Sequence, residues 1–402
     1  MNIKELKEPL AITMWDGSWL RRHYAGGGFE SYDKALDELV ERGYNAVRID
    51  AFPHMIANAP DGTNADRFFD PAGVGFHWYG FAQWGNPWSV YIYPRRDIVE
   101  FLKKCEARNV YVLLSTWLKS NTSGRNGMIS GPMDHVRIWD ETLRFLEEND
   151  CLKQVIGVDV QNEIPWGGWY PWMRDQLSRV EDPKRGGGKK PFNDFICNYY
   201  KTVLGELRIR WPQMPFSVSY CFNYWEDHFQ IDHNDCDFLD IHIWAEDAPF
   251  KFLKNTRYEE AIVRFGENTM PKVEGADSWE GKVLPPDYEF EKICDEIHES
   301  WYKHRAQCEE FMEERIAYVA EKGKQYNIPV GNTEGWGSVS WVQHPMLRWD
   351  MIKEAALIAA KLGRKYGYTF NCQSNFCEPH FPGLWNDVAY HKEVTSIIRG
   401  LK

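Results

Sequence analysis

Two glutamates in this 402-residue chain stand where carboxylates can do chemistry. Glu163 closes the stretch Val158-Asp159-Val160-Gln161-Asn162-Glu163, and Glu334 closes Ile328-Pro329-Val330-Gly331-Asn332-Thr333-Glu334. Each follows a short apolar run of strand character and runs into an aromatic, glycine-containing turn. Strand-end carboxylates followed by such loops are what a (β/α) barrel presents on its working face. Two carboxyls roughly 5 Å apart can cleave a glycosidic bond with retention: one attacks the anomeric carbon, the other protonates the leaving oxygen. Asn162 offers an amide suited to a sugar 2-hydroxyl. Arg48 can hold Glu334 ionised, because a nearby cation favours a carboxylate's charged form. Glu163 must then start the cycle protonated, which the charge of Glu334 favours.

Either glutamate alone reads equally as a loop charge. The conjunction of both with Arg48 and His242 at strand ends is the stronger signal. His242 also fits a satisfied core histidine, and Arg48 a structural ion-pair partner of Asp50 or another barrel carboxylate.

The elements that must position these groups alternate along the chain. Strands are expected at Leu10–Trp15, Asn45–Asp50, Val110–Thr116, 155–163, Phe216–Tyr220, Phe238–Trp244, 328–334 and Tyr368–Cys372. Helical periodicity lies between most of them. Ala35, Leu36, Leu39 and Val40 share one face after a Ser31 cap and before Gly43, and Val136, Trp139, Leu143 and Leu146 share another. Eight short apolar strands separated by helices predict an α/β fold, a single (β/α)8 TIM barrel over residues 1–402. Its βα loops are long (54–93, 164–191, 247–288), with an insertion after strand six at about 247–327. A doubly wound sheet would more naturally carry a GxGxxG turn after strand one, which is absent. Gly26-Gly27-Gly28 lacks the lysine and hydroxyl of a phosphate loop.

A net charge of −12 argues against nucleic acid or an anionic membrane as the partner. No apolar run reaches membrane-spanning length, and the first residues lack the layout of a secretion signal, so a cytoplasmic location is expected. Nine cysteines without a CxxC pair suggest reduced thiols rather than disulfides or zinc. Nineteen tryptophans are unusual, and many fall in loops: Trp15, Trp19, Trp78, Trp84, Trp88, Trp117, Trp166, Trp169, Trp172, Trp336, Trp341 and Trp385. They suit either core edges or flat platforms for sugar rings. The expected partner is a carbohydrate, with no cofactor and no metal. Oligomeric state is open, because the insertion can cap a pocket or form a dimer face.

With those residues in hand, the chain resembles the superfamily of (β/α)8-barrel retaining glycoside hydrolases that contains the family 5 cellulases and mannanases. Gln161-Asn162-Glu163 is similar to its acid/base motif and Asn332-Thr333-Glu334-Gly335-Trp336 to its nucleophile strand, while Arg48 matches its strand-two arginine. Ser374 to Trp385 resembles a "cellulase-like" branch. The resemblance implies Glu163 as acid/base, Glu334 as nucleophile, Asn162 and Arg48 in support, and an equatorial, β-type bond as substrate.

The chain departs from the pattern in three places. His242-Ile243-Trp244 stands where His-x-Tyr is usual, so a donor to Glu334 must come from elsewhere, with Trp244 offering only its indole N–H. Ser115-Thr116-Trp117 stands where a histidine is common. No strand-eight tryptophan is obvious, leaving Asn375, Glu378 and Trp385 to fill that side. These departures argue against polymeric cellulose, and the large capping loops (54–93, 164–191, 247–288) with no expected secretion signal favour a pocket for a small glycoside or oligosaccharide. Two rivals use the same barrel: a metal-dependent sugar isomerase or epimerase recruiting Glu163, Glu334, His242 and Asp50, and a catalytically silent carbohydrate binder.

Overall fold

The structure is a computed structural model, which describes residues 3–70, 89–119, 122–164, 170–222, 235–248, 256, 287–338 and 348–401. Eight parallel strands close into a ring. They are β1 (Leu10–Asp16), β2 (Ala46–Asp50), β3 (Tyr111–Ser115), β4 (Val155–Asp159), β5 (Phe216–Ser217 and Ser219–Cys221), β6 (Leu239–Trp244), β7 (Val330–Asn332, resumed at Gly335–Trp336) and β8 (Phe370–Cys372). Each pairs with the next, and β1 closes the circle on β8 through Leu10↔Phe370. β5 is divided at Val218: its first half pairs with β4 through Val158↔Phe216, its second with β6 through Ser219↔Asp240. The expected continuous strand is therefore two short ones.

The helices cover the outside: α1 (Tyr32–Glu41), α2 (Pro94–Ala107), α3 (Pro132–Glu148), α4 (Lys189–Arg210), α5 (Asp287–Tyr326), α6 (Asp350–Tyr366) and α7 (Val388–Arg399). Local chemistry fixes their ends. Ser31 caps α1 by accepting from the Lys34 N–H, and prolines open α2 and α3, where no N–H is missed. Gly367 ends α6 in the left-handed conformation. Val40 departs from expectation: its side chain is exposed, so the buried face of α1 is Ala35, Leu36 and Leu39.

The helical part of the expected insertion is one 40-residue helix, α5, which packs on β6 and α6 as the crossover from β6 to β7. Of the long loops, 164–191 contains a helix of its own, Pro171–Glu181, and α4 has begun by Lys189. The loop after β2 holds a short helix (Pro53–Ile56) and an antiparallel ribbon of Phe68–Asp70 with Val90–Ile92. Most of 247–288 lies outside the described residues. Among those described, no helix is long and apolar enough to cross a membrane.

Alternation along the strands splits the core in two. Val47, Ile49, Val112, Leu114, Ile241 and Ile243 join the large outer cluster against the helices. Leu10, Ile12, Ala46, Leu113, Ile156, Phe238 and Phe370 form a separate cluster. These residues point to the barrel axis and plug its N-terminal half. Two and four residues further along the same inward face come Arg48 and Asp50 on β2, and Asp240 and His242 on β6. The barrel interior thus changes from apolar to charged as the strands run toward their C-terminal mouth.

Candidate active site

The mouth gathers the groups that the sequence spread over most of its length. Glu163, Glu334 and His242 each bring one ligand atom within 4.8 Å of the other two, so the two glutamates turn toward each other. Both are almost wholly buried, Glu163 at 6% and Glu334 at 4% exposure.

Each glutamate is aimed by its neighbours. Glu163 has φ of +50°, a left-handed conformation that costs a non-glycine residue free energy and tends to cluster at functional sites. It is held there by Ser219 Oγ, which accepts from the Glu163 N–H at 3.0 Å. The flanking bonds Asn162 N to Thr116 O and Ile164 N to Ser219 O add to that hold. Glu334 is fixed through Asn332, whose Oδ1 accepts from its N–H at 2.8 Å. The glycine that follows is required. A Cβ on Gly335 would lie 2.8 Å from both Asn332 Nδ2 and the Ile243 carbonyl.

Arg48, fully buried, donates to Glu334 Oε2 at 3.0 Å, to both oxygens of Asp16 at 2.9 and 2.8 Å, and to Thr333 Oγ1 at 2.7 Å. Its carboxylate partner is Asp16, not Asp50, which instead accepts from the backbone N–H groups of Phe52 and Trp117. Two amides complete the shell of Glu334: Asn162 Nδ2 and Asn375 Nδ2, each at 3.5 Å, the outer limit of a hydrogen bond. Asn162 is oriented by its Oδ1, which accepts from Ser219 Oγ at 3.0 Å.

His242 links the two glutamates. Its Nδ1 sits 2.9 Å from Glu163 Oε1 and 3.6 Å from Glu334 Oε2, and its Nε2 3.6 Å from Asp240. Burial opposes its charge, yet the bonds to Asp240 and Glu163 and the charge of Glu334 lift the imidazole to about 10. The surroundings thus favour the imidazolium, with Nδ1 placed to donate to Glu163 Oε1. Burial and the charge of Glu163 raise the Glu334 carboxyl to about 7, against the pull of His242 and Arg48. Two buried carboxyls this close retain one proton between them up to roughly neutral pH.

Residues 12–399 match the sequence pattern described as "Cellulase-like: Sugar-binding cellulase-like".

The chain belongs to the sugar-binding cellulase-like family.

By that membership it is a glycoside hydrolase. A solved structure from Parabacteroides distasonis ATCC 8503, assigned as a candidate glycoside hydrolase, is 29% identical. It superposes with a TM-score of 0.78, covering 98% of this chain and 94% of its own. The endo-β-1,4-mannanase of Thermotoga petrophila shares the fold alone: 10% identity, TM-score 0.51, 100% of this chain and 79% of that one. None of the curated proteins matches.

Several tryptophans expected at the site of this cellulase-like barrel are core residues instead. Trp15 is fully buried, donates its indole N–H to the Cys377 carbonyl at 3.0 Å and packs edge-on to Phe29, Phe101 and Trp385. Trp385 donates to Glu38 on α1 at 2.7 Å and lies flat on Tyr44, under the Arg42 guanidinium. Both pack outside the barrel, too far back for a sugar. Trp336 is buried with its N–H on the Cys372 carbonyl at 2.8 Å, and Trp244 is 3% exposed. The donors to Glu334 are Arg48, Asn162 and Asn375 rather than Trp244. Trp117 is the one that touches the charged shell, its indole N–H donating to Asp16. Trp78, Trp84, Trp88, Trp166, Trp169 and Trp341 lie outside the described residues.

Glu378 sits buried beside His380, 3.4 Å from its Nδ1, and makes none of the described contacts to either site glutamate. Four site residues went unnoticed in the sequence: Asp16, Asp240, Thr333 and Cys221. Asp16 was within reach, since it ends an apolar strand as the glutamates do. Asp240 and Thr333 carried no such signal, because their roles depend on which strands become neighbours.

Proposed function

We propose that the protein is a retaining glycoside hydrolase, one catalytic barrel spanning the chain, that cleaves a β-glycosidic bond in a small glycoside or oligosaccharide. The observation that carries this reading is the approach of the Glu163 and Glu334 carboxylates within 4.8 Å. Retaining enzymes hold their carboxyls roughly 5 Å apart and inverting ones roughly 6.5–9.5 Å, so the approach favours the retaining course.

Glu334 is the nucleophile. The Arg48 guanidinium is bonded to it at 3.0 Å, and a cation beside a carboxylate favours the charged form the attack needs. Glu163 is the acid/base, which must carry the proton as the cycle starts. In the first step Glu334 bonds to the anomeric carbon while Glu163 protonates the departing oxygen. In the second, Glu163 takes a proton from water, which displaces Glu334 and returns the sugar with its configuration retained. Asn162, with its NH2 turned toward Glu334, is placed for the 2-hydroxyl.

The metal-dependent isomerase has one observation in its favour, the clustering of Glu163, His242 and Glu334. The donor chemistry disfavours it. Arg48 already occupies Glu334, and a protonated His242 has no lone pair for a cation. Activity should survive chelator unchanged.

A panel of aryl β-glycosides tests the reading. Wild type should turn one over, and azide should rescue Glu334→Ala with a glycosyl azide of inverted configuration. An unimpaired Glu334→Ala would overturn it.

A further inference from the structure

Glu163 receives two donors, and both go to the same oxygen. His242 Nδ1 is 2.9 Å from Oε1, and Cys221 Sγ is 3.1 Å from that atom. The barrel sets them side by side, because Cys221 on β5 pairs in register with His242 on β6. The thiol is partly buried. Burial first, then the charges of Glu163, Glu334 and Asp247, keep it protonated. A thiol has one hydrogen to donate and a thiolate has none. The two-glutamate mechanism by itself calls for no sulfur at this place.

We propose that Cys221 is a positioning residue for the acid/base: its S–H, beside the His242 N–H, occupies Oε1 of Glu163 and leaves Oε2 to pass the proton. The inference rests on Glu163 being the acid/base. As the C–O bond breaks, its electron pair goes to the leaving oxygen, which takes the proton from Oε2, while a Glu334 oxygen bonds to the anomeric carbon. Negative charge then appears on the Glu163 carboxylate, where the two waiting donors stabilise it. The contribution matters most for leaving groups that need the proton.

The test is a leaving-group series, from dinitrophenyl to simple alkyl β-glycosides of the sugar found in the panel. Wild type is compared with Cys221→Ala, Cys221→Val, Cys221→Ser and Glu163→Gln. Loss of one hydrogen bond to a developing charge should lower kcat/KM of the alanine variant by about fivefold on alkyl glycosides. The dinitrophenyl glycoside should be almost unaffected. The basic limb of the pH profile should move upward, since a donor that favours the ionised carboxylate is gone. Valine, which fills the space without a donor, should repeat this pattern, and serine should restore both readouts. Equal losses on all leaving groups, or no restoration by serine, would mean that the thiol only packs, and the proposal falls. Glu163→Gln separates the two layers. A steep leaving-group dependence there, absent from the cysteine variants, overturns the role of Cys221 alone, whereas its absence in Glu163→Gln overturns the acid/base reading itself.

Discussion

Arg48 donates to Asp16 and Glu334 from one guanidinium, so removing it leaves the buried Asp16 carboxylate without its ion-pair partner and Glu334 without its nearest donor. Breaking a buried ion pair from one side costs about 3–5 kcal/mol. Arg48→Ala is therefore expected to unfold at markedly lower denaturant than wild type. Arg48→Lys keeps the charge but loses the fork that reaches Asp16, Thr333 and Glu334 together. It should fold, yet lose kcat by about tenfold or more through a misplaced Glu334. A lysine variant with wild-type kcat would contradict the assignment. The shared proton gives a second prediction at this scale. With Glu334 raised to about 7 by burial and by Glu163, the pair gives up its last proton as pH rises through neutrality. The profile of kcat/KM should be bell-shaped, with its descending limb near pH 7. In Glu163→Gln, assayed on a dinitrophenyl glycoside, the charge that raised Glu334 is gone. The descending limb should vanish, and activity should rise to a plateau as Glu334 ionises. A persistent limb near 7 would place the titration elsewhere.

At the scale of elements, β7 shows how closely the strands must approach to present Glu334. A Cβ on Gly331 would meet the Phe370 carbonyl at 2.1 Å, so β7 and β8 would have to part. Overpacking of this kind costs about 1–3 kcal/mol. Gly331→Ala should lower the thermal midpoint and, because Glu334 lies three residues on, lower kcat as well. An alanine variant with both unchanged would show that the barrel tolerates the separation. The elements themselves were largely legible: apolar runs gave the strands, periodicity with a Ser31 cap gave α1, and periodicity alone gave α3. The division of β5 at Val218 was not, because it arises when one strand follows β4 and then β6. The tryptophans misled for a related reason. Trp15 sits in a strand and Trp385 ends a short helix (Pro382–Trp385), and only packing against Tyr44, Phe29 and Phe101 reveals that both are core.

For the whole molecule, ring closure brings Arg48, Glu163, His242 and Glu334 together, although nothing in local sequence joins them. The two glutamates could be picked out because each follows a strand, and a barrel collects strand ends on one face; Arg48 lies within β2 on its inward face. All nine cysteines are unpaired, so the fold depends on its core rather than on cross-links. The thermal midpoint should be the same with and without reductant, and a fall in reductant would reveal a disulfide. The central claim is that Glu334 forms a covalent bond with the sugar. Incubation with 2-deoxy-2-fluoro β-glycosides bearing a good leaving group, followed by peptide mass spectrometry, tests it directly. A fluoroglycosyl group on the peptide containing Glu334 is the predicted result; turnover with the label on any other residue would contradict it.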